Sequence, residues 1–157
     1  MLPKTTTVPF LLSASIFLCD QATKFWVEKF GLTLTIIPGL LRLAPLYNPG
    51  FFFGLFYTQY IKVLTFLISF LVFFVTVNLL KKETQEGLFL PIGTGLIWGG
   101  MLGNLTDRVL CGMVFDFIQL WRIPTFNLAD LSLTFGTLIV GLKILSGFAN
   151  KNKDGVK

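Results

Sequence analysis

The chain contains no histidine. That absence removes the Ser-His-Asp and Cys-His catalytic arrangements and the histidine-based zinc sites. Any proton transfer must use carboxylates, lysine, tyrosine or water. Cysteine is scarce. Cys19 lies in the first apolar run and Cys111 beside a polar cluster, and two such isolated positions form neither a disulfide framework nor a metal signature. Both read as free thiols. Charge is scarce too: charged residues make up 13% of the chain and hydrophobic residues 54%, against about a quarter and about half in soluble domains. Phe alone occurs 18 times in 157 residues. So small a globule cannot hide that much apolar surface, and the chain must use lipid as part of its solvent. The net charge of +5 does not point to nucleic acid. The Lys and Arg residues are scattered or sit at the ends of apolar runs, where they anchor spans.

The apolar residues fall into four runs. Val8 to Cys19 has the length of a signal-peptide core, but Leu18, Cys19 and Asp20 are not the small residues a cleavage site wants. Continued through Asp20 to about Phe30, the run is long enough to span, since roughly 20 residues cross the hydrocarbon core. Ile61 to Leu80 is a second span, Leu88 to about Leu105 a third and Leu131 to Phe148 a fourth. Gly31 to Thr58 is different. Pro38, Gly39, Pro45, Pro49, Gly50 and Gly54 break any long helix, which predicts short strands and a turn. An interfacial segment rich in aromatics (Phe51 to Phe53, Phe56, Tyr57) follows. Leu110 to Phe126 reads as a loop. Asn150 to Lys157 reads as a disordered polar tail, so residues 1–150 form one domain and 151–157 its tail. Four spans put both termini on one side. Lys and Arg divide equally between the two sides. Setting Lys24 and Arg108 aside as site residues leaves the termini cytoplasmic.

The stretch from Gly99 to Asp130 is the polar exception. Asp107, Asp116, Asp130, Arg108, Arg122, Asn104 and Asn127 are wedged between two apolar runs, and ionisable groups at such a place mark function by default. Gly95, Gly99 and Gly103 repeat at every fourth position, a stripe along which another helix backbone can approach closely. Asp116 and Asp130 flank a loop short enough to close at modest entropic cost. Two carboxylates in a poorly hydrated site do not both ionise, so the pair offers an acid and a base together. Such a pair can activate water against a peptide carbonyl without a metal or cofactor. Asp116, flanked by Phe115, Phe117 and Ile118, has no obvious structural role, but the other residues each have a plainer reading. Asp130 suits a helix N-cap, Asp107 a local ion pair with Arg108, Asp20 and Lys24 a one-turn salt pair, and Asn48 a turn. Asn104 and Asn127 suit either carboxylate orientation or local backbone satisfaction.

Taken in order along nearly the whole chain, these patches resemble the lipoprotein signal peptidases (signal peptidase II), the bacterial membrane aspartic proteases. The resemblance rests on Asp20-Gln21 with Lys24 and on Asn48-Pro49-Gly50 continuing to Phe53-Gly54. It rests further on Gly99-Gly100, Gly103-Asn104 and Asp107-Arg108, running on through Gly112 and Val114 to Asp116-Phe117-Ile118. Phe126-Asn127-Leu128-Ala129-Asp130 completes it. One departure is Phe51 and Phe52, where the family usually has small residues; this bears on the substrate groove near Asn48. The resemblance implies an all-α membrane protein of four transmembrane helices with a small extracytoplasmic β-cradle and an interfacial half-helix. It implies a bacterial inner-membrane enzyme with its site near the extracytoplasmic face. It implies that Asp116 and Asp130 are the catalytic dyad and that signal peptides are removed from diacylglyceryl-modified prolipoproteins just before the lipidated Cys. By the same carry-over Asn48, Gly50, Asn104, Arg108 and Asn127 line the substrate site, Asp20, Lys24 and Asp107 support it, and globomycin is an expected inhibitor. Two rival classes remain beside it: a small transporter or proton-coupled channel, whose polar groups would lie at several depths, and a structural membrane protein whose aspartates are caps.

Overall fold

The computed structural model describes residues 4–50, 60–82 and 87–154. In chain order the elements are α1 (Lys4–Lys29), β1 (Leu34–Ile37), β2 (Leu41–Asn48), α2 (Ile61–Lys82), α3 (Phe89–Leu110), β3 (Val114–Leu120) and α4 (Leu128–Asp154). The interfacial aromatic segment, with Phe51 and Phe52 and the expected half-helix, lies outside the described residues. The four helices fall on the four apolar runs, but α3 and α4 are longer than expected. α3 carries Asn104, Asp107 and Arg108 on its last turns, and α4 runs to Asp154, so the start of the expected disordered tail continues the helix.

α3 is the central element. It packs against α1 on one face and α4 on another, with α2 more peripheral. Lipid offers no hydrophobic driving force between helices, so association relies on close backbone approach, and the glycines supply it. A Cβ on Gly95 would lie 3.0 Å from the Pro9 carbonyl oxygen, and one on Gly99 would lie 2.6 Å from Ile16 Cβ. The stripe read from sequence is thus the α1 contact face. A second set faces α4: a Cβ on Gly93 would meet Val140 at 2.8 Å, and one on Gly100 would meet the Ala129 carbonyl at 2.4 Å. Leu90, Ile97, Trp98 and Val140 form the apolar core beside it. Trp98 reaches α2, where its indole N–H donates to Thr76 Oγ1 at 2.8 Å. The outward side of α2 is bare hydrocarbon, with Phe66, Phe70, Leu71 and Phe74 all exposed.

The sheet has the order β1-β2-β3, antiparallel throughout. β1 and β2 form a hairpin whose turn uses Gly39 at φ 72°, a left-handed conformation that glycine adopts without penalty. β3 corrects the sequence reading of 110–126 as a loop. Alternation of Phe115, Asp116 and Phe117 is a strand signal: Phe115 and Phe117 pack against Val27 of α1, and period two turns Asp116 to the opposite face. The chain then folds back. Ile118 and Phe126 exchange backbone hydrogen bonds of 2.8 and 2.9 Å, which closes the connection and delivers Asn127 to the start of α4.

Two stretches, Val63–Lys81 and Leu128–Gly147, are long and apolar enough to cross a membrane. α1 and α3 instead carry buried Asp20, Lys24, Asp107 and Arg108 near their C-terminal ends. The helix contacts make a direct prediction. Gly100→Val drives a side chain into the Ala129 carbonyl and should destabilise the protein by several kcal/mol. Gly141→Ala, with nothing within 4 Å of the added carbon, should be neutral or raise the melting temperature. Thermal unfolding in detergent checks both.

Candidate active site

The site gathers where the C-terminal ends of α1 and α3, the strands β2 and β3, and the N-terminus of α4 converge. Asp116, on β3, is 1% exposed. One of its oxygens accepts from Asn127 Nδ2 at 2.7 Å and the other from Asn48 Nδ2 at 2.8 Å. Asn48 closes β2 and also serves the turn expected of it, since its Oδ1 accepts from the Gly50 N–H at 2.9 Å.

Asp130 and Asn127 begin α4 reciprocally. Asn127 Oδ1 accepts from the Asp130 N–H at 2.9 Å, and Asp130 Oδ2 accepts from the Asn127 N–H at 3.3 Å. This is a capping box, with two otherwise orphaned donors satisfied by each other's side chains. The cap reading of Asp130 therefore holds for one oxygen. The other, Oδ1, accepts from Asn104 Nδ2 of α3 at 2.8 Å. Asn127, completely buried, touches both carboxyl groups and joins them through one residue.

Behind them lies a charged layer. Lys24 Nζ is 2.7 Å from Asp20 Oδ2, 2.8 Å from Asp107 Oδ2 and 3.3 Å from Asn104 Oδ1. The one-turn pair expected of Asp20 and Lys24 forms. The ion pair expected between Asp107 and Arg108 is replaced: Asp107 turns to α1 and to the Phe115 N–H, 3.2 Å away. Neighbours on a helix point about a quarter turn or more apart, so Arg108 faces elsewhere, and its Nη2 donates to the Gly50 carbonyl at 2.7 Å. Asp20 also accepts from the Ala129 N–H at 2.9 Å, a second free donor in the first turn of α4. Gly103 makes room for it, since a Cβ there would lie 2.5 Å from Asp20 Oδ2.

All ten residues singled out in the sequence thus converge. One was missed: Gln21, whose amide donates to Asp20 and to Asp107, both at 3.1 Å. It stood beside Asp20 in the first motif, but only the approach of α3 gives its amide a partner. Next to the cluster an open groove of about 400 Å³ runs over the sheet, bounded by Leu46, Asn48, Pro49, Gln119, Trp121 and Arg122 among others. Asn48 is its link to the carboxyl groups.

Burial pushes Asp116 up from 3.8 to about 7; the amides of Asn48 and Asn127 and the charge of Lys24 oppose that rise, and nearby Asp130 adds to it. Asp116 thus keeps its proton to higher pH than a free carboxyl does. One carboxyl can then deliver a proton while the other accepts one. Among the described residues no three acidic or cysteine side chains cluster as a metal site.

The model of the signal peptidase (SPase) II family matches residues 12–146. The lipoprotein signal peptidase of Staphylococcus aureus strain MRSA252 is 31% identical over 154 residues, which covers 94% of this chain and 93% of that one. Its counterpart from strain JH9 is 30% identical over the same coverage. Two solved structures, each described as a bacterial membrane enzyme determined by the in meso method, are also similar. The one at 2.3 Å superposes with a TM-score of 0.82 at 29% identity, covering 93% of this chain and 92% of that chain. The one at 1.9 Å gives 0.76 at 29% identity, covering 89% and 94%.

The raised Asp116 gives a stability prediction. Between 3.8 and about 7 the folded state binds more protons at this carboxyl than the unfolded state does. Stability from this group is thus full at the acid end and falls as pH rises through about 7. Asp116→Asn should flatten that slope. Denaturant midpoints measured across the window for both proteins check it, the slope and not the absolute stability being the readout.

Proposed function

The chain belongs to the signal peptidase II family, membrane proteases that remove signal peptides from lipoproteins, and we propose that it does so as an aspartyl endopeptidase with Asp116 and Asp130 as the dyad. The observation that carries this reading is the shared Asn127, which donates to Asp116 while exchanging hydrogen bonds with Asp130. A dyad requires two carboxyl groups held together with one proton between them.

The chemistry follows from that arrangement. The ionised carboxylate takes a proton from water as the oxygen attacks the scissile carbonyl. The protonated carboxyl gives its proton to the carbonyl oxygen, forming a tetrahedral diol. The carboxyl that took the water's proton then passes it to the leaving amine, and the C–N bond breaks. The diol proton returns to the other carboxylate, which restores the singly protonated pair. Asn48 and Asn104 keep the carboxyl planes fixed while charge moves. Arg108, buried, holds the Gly50 carbonyl and so steadies the turn that carries Asn48.

The proposed substrate is a diacylglyceryl-modified prolipoprotein, cut just before the lipidated Cys. In this reading all four helices cross the bacterial inner membrane, the termini are cytoplasmic, and the sheet and dyad lie at the extracytoplasmic face. The substrate's acyl chains then lie against exposed apolar helix faces while the peptide reaches the dyad, and globomycin-type peptides compete for that place. The charged buried side chains described above all sit at one end of the helices. This favours a single interfacial site over a path through several depths.

Asp116→Asn and Asp130→Asn should each abolish cleavage of a lipidated prolipoprotein by purified enzyme, with a loss of at least about 10³-fold, as for removal of an essential catalytic group. Both variants should still insert in the membrane. Processing at the wild-type rate by either variant would remove the dyad assignment.

A further inference from the structure

We propose that Lys24 is a positioning residue for the dyad: it reinforces the donor direction of the Asn104–Asn127 amide relay and supplies a buried positive charge that favours the singly protonated carboxyl pair. This rests on the dyad reading above and adds a part to it.

An asparagine amide can face either way, and only its partners decide. Here the relay is pinned at both ends by groups that can only donate. At one end the Asp130 N–H must donate, so Asn127 presents its oxygen there and its Nδ2 is left for Asp116 and for Asn104 Oδ1, at 2.7 and 3.0 Å. At the other end the Lys24 ammonium must donate, and at 3.3 Å it too meets Asn104 Oδ1. Asn104 then has only its N–H₂ to offer Asp130. Lys24 thus reinforces the direction that Asn127 already gives Asn104, and the donor that Asp130 receives favours its ionised form.

The charge balance points the same way. Lys24, 4% exposed, sits between Asp20 and Asp107. Its ammonium offsets charge on both carboxyl groups, and removing it would leave the dyad with one positive charge fewer nearby. The other charged groups facing this space are Arg108 of α3, Asp116 of β3 and Asp130 of α4. Glu28, one turn further along α1, is engaged by the Tyr47 hydroxyl of β2. Lys24 is therefore the cation that bridges the two supporting carboxylates.

The test is the pH–rate profile of prolipoprotein cleavage, a readout that a merely structural lysine would not move. Removing the ammonium in Lys24→Met should shift both limbs of the bell to higher pH by about one unit, roughly tenfold in rate at a fixed pH on the acid limb. Asp107→Asn removes a negative charge and should move the bell the opposite way, while its amide oxygen can still accept from Phe115. The double variant should bring the bell back towards the wild-type position, and Lys24→Arg should leave it in place. Limbs that stay fixed in Lys24→Met and Asp107→Asn while only the rate falls would overturn the proposal. Where Lys24→Met does not fold, the direction of the Asp107→Asn shift decides alone. Cleavage by Asp116→Asn or Asp130→Asn at the wild-type rate would instead overturn the dyad reading, and this proposal with it.

Discussion

The structure depends on how the first turn of α4 satisfies its backbone. A helix start leaves several N–H groups without partners, and inside a membrane protein water does not serve them. Here Asn127 Oδ1 takes the Asp130 N–H and Asp20 takes the Ala129 N–H. Both acceptors belong to the polar cluster. The residues that end the helix correctly are therefore the ones that hold Asp116 and Asp130 in place. Structural cap and candidate catalyst are not competing explanations of Asp130, because its two oxygens have separate partners.

That arrangement in turn requires close helices. Asp20 reaches the α4 terminus only because α1 and α3 touch at Gly103, and Ala129 comes near only because Gly100 has no side chain. Larger residues at either position would separate the ammonium of Lys24 from its partners across α3. A buried carboxylate that loses its partner costs far more than a surface pair gains. The glycines are thus an electrostatic device as well as a packing one. They keep short the distances over which the buried charges offset one another.

Much of this was legible in the chain. The missing histidines left proton transfer to carboxylates, lysine, tyrosine or water, the stripe Gly95, Gly99 and Gly103 marked a face for close helix approach, and the prolines and glycines after Gly31 located short strands and a turn. What was not legible was long-range. Phe115-Asp116-Phe117 is too short to declare a strand without β2 beside it, so β3 read as loop. Asp107 stood next to Arg108, and adjacency suggested a pair. On a helix neighbouring residues diverge, and only the approach of α1 shows that Lys24 is the partner. Gln21 has no periodic signal at all, and its role appears only when α3 supplies Asp107.

α2 and α4, which hold the two stretches long and apolar enough to cross a membrane, and α1 and α3, read as spans in the sequence, divide the work. α2 bears no part of the polar cluster, and its exposed face is phenylalanine and leucine. α1 and α3 give up hydropathy at their C-terminal ends to hold Asp20, Lys24, Asn104, Asp107 and Arg108, and they bury those groups against each other and against α4. The charges lie at one end and are mutually satisfied, while the rest of each helix still presents exposed apolar side chains such as Phe10, Leu11 and Leu18 of α1. The glycine stripe on α3 lets these helices come close enough for the charges at their ends to satisfy one another.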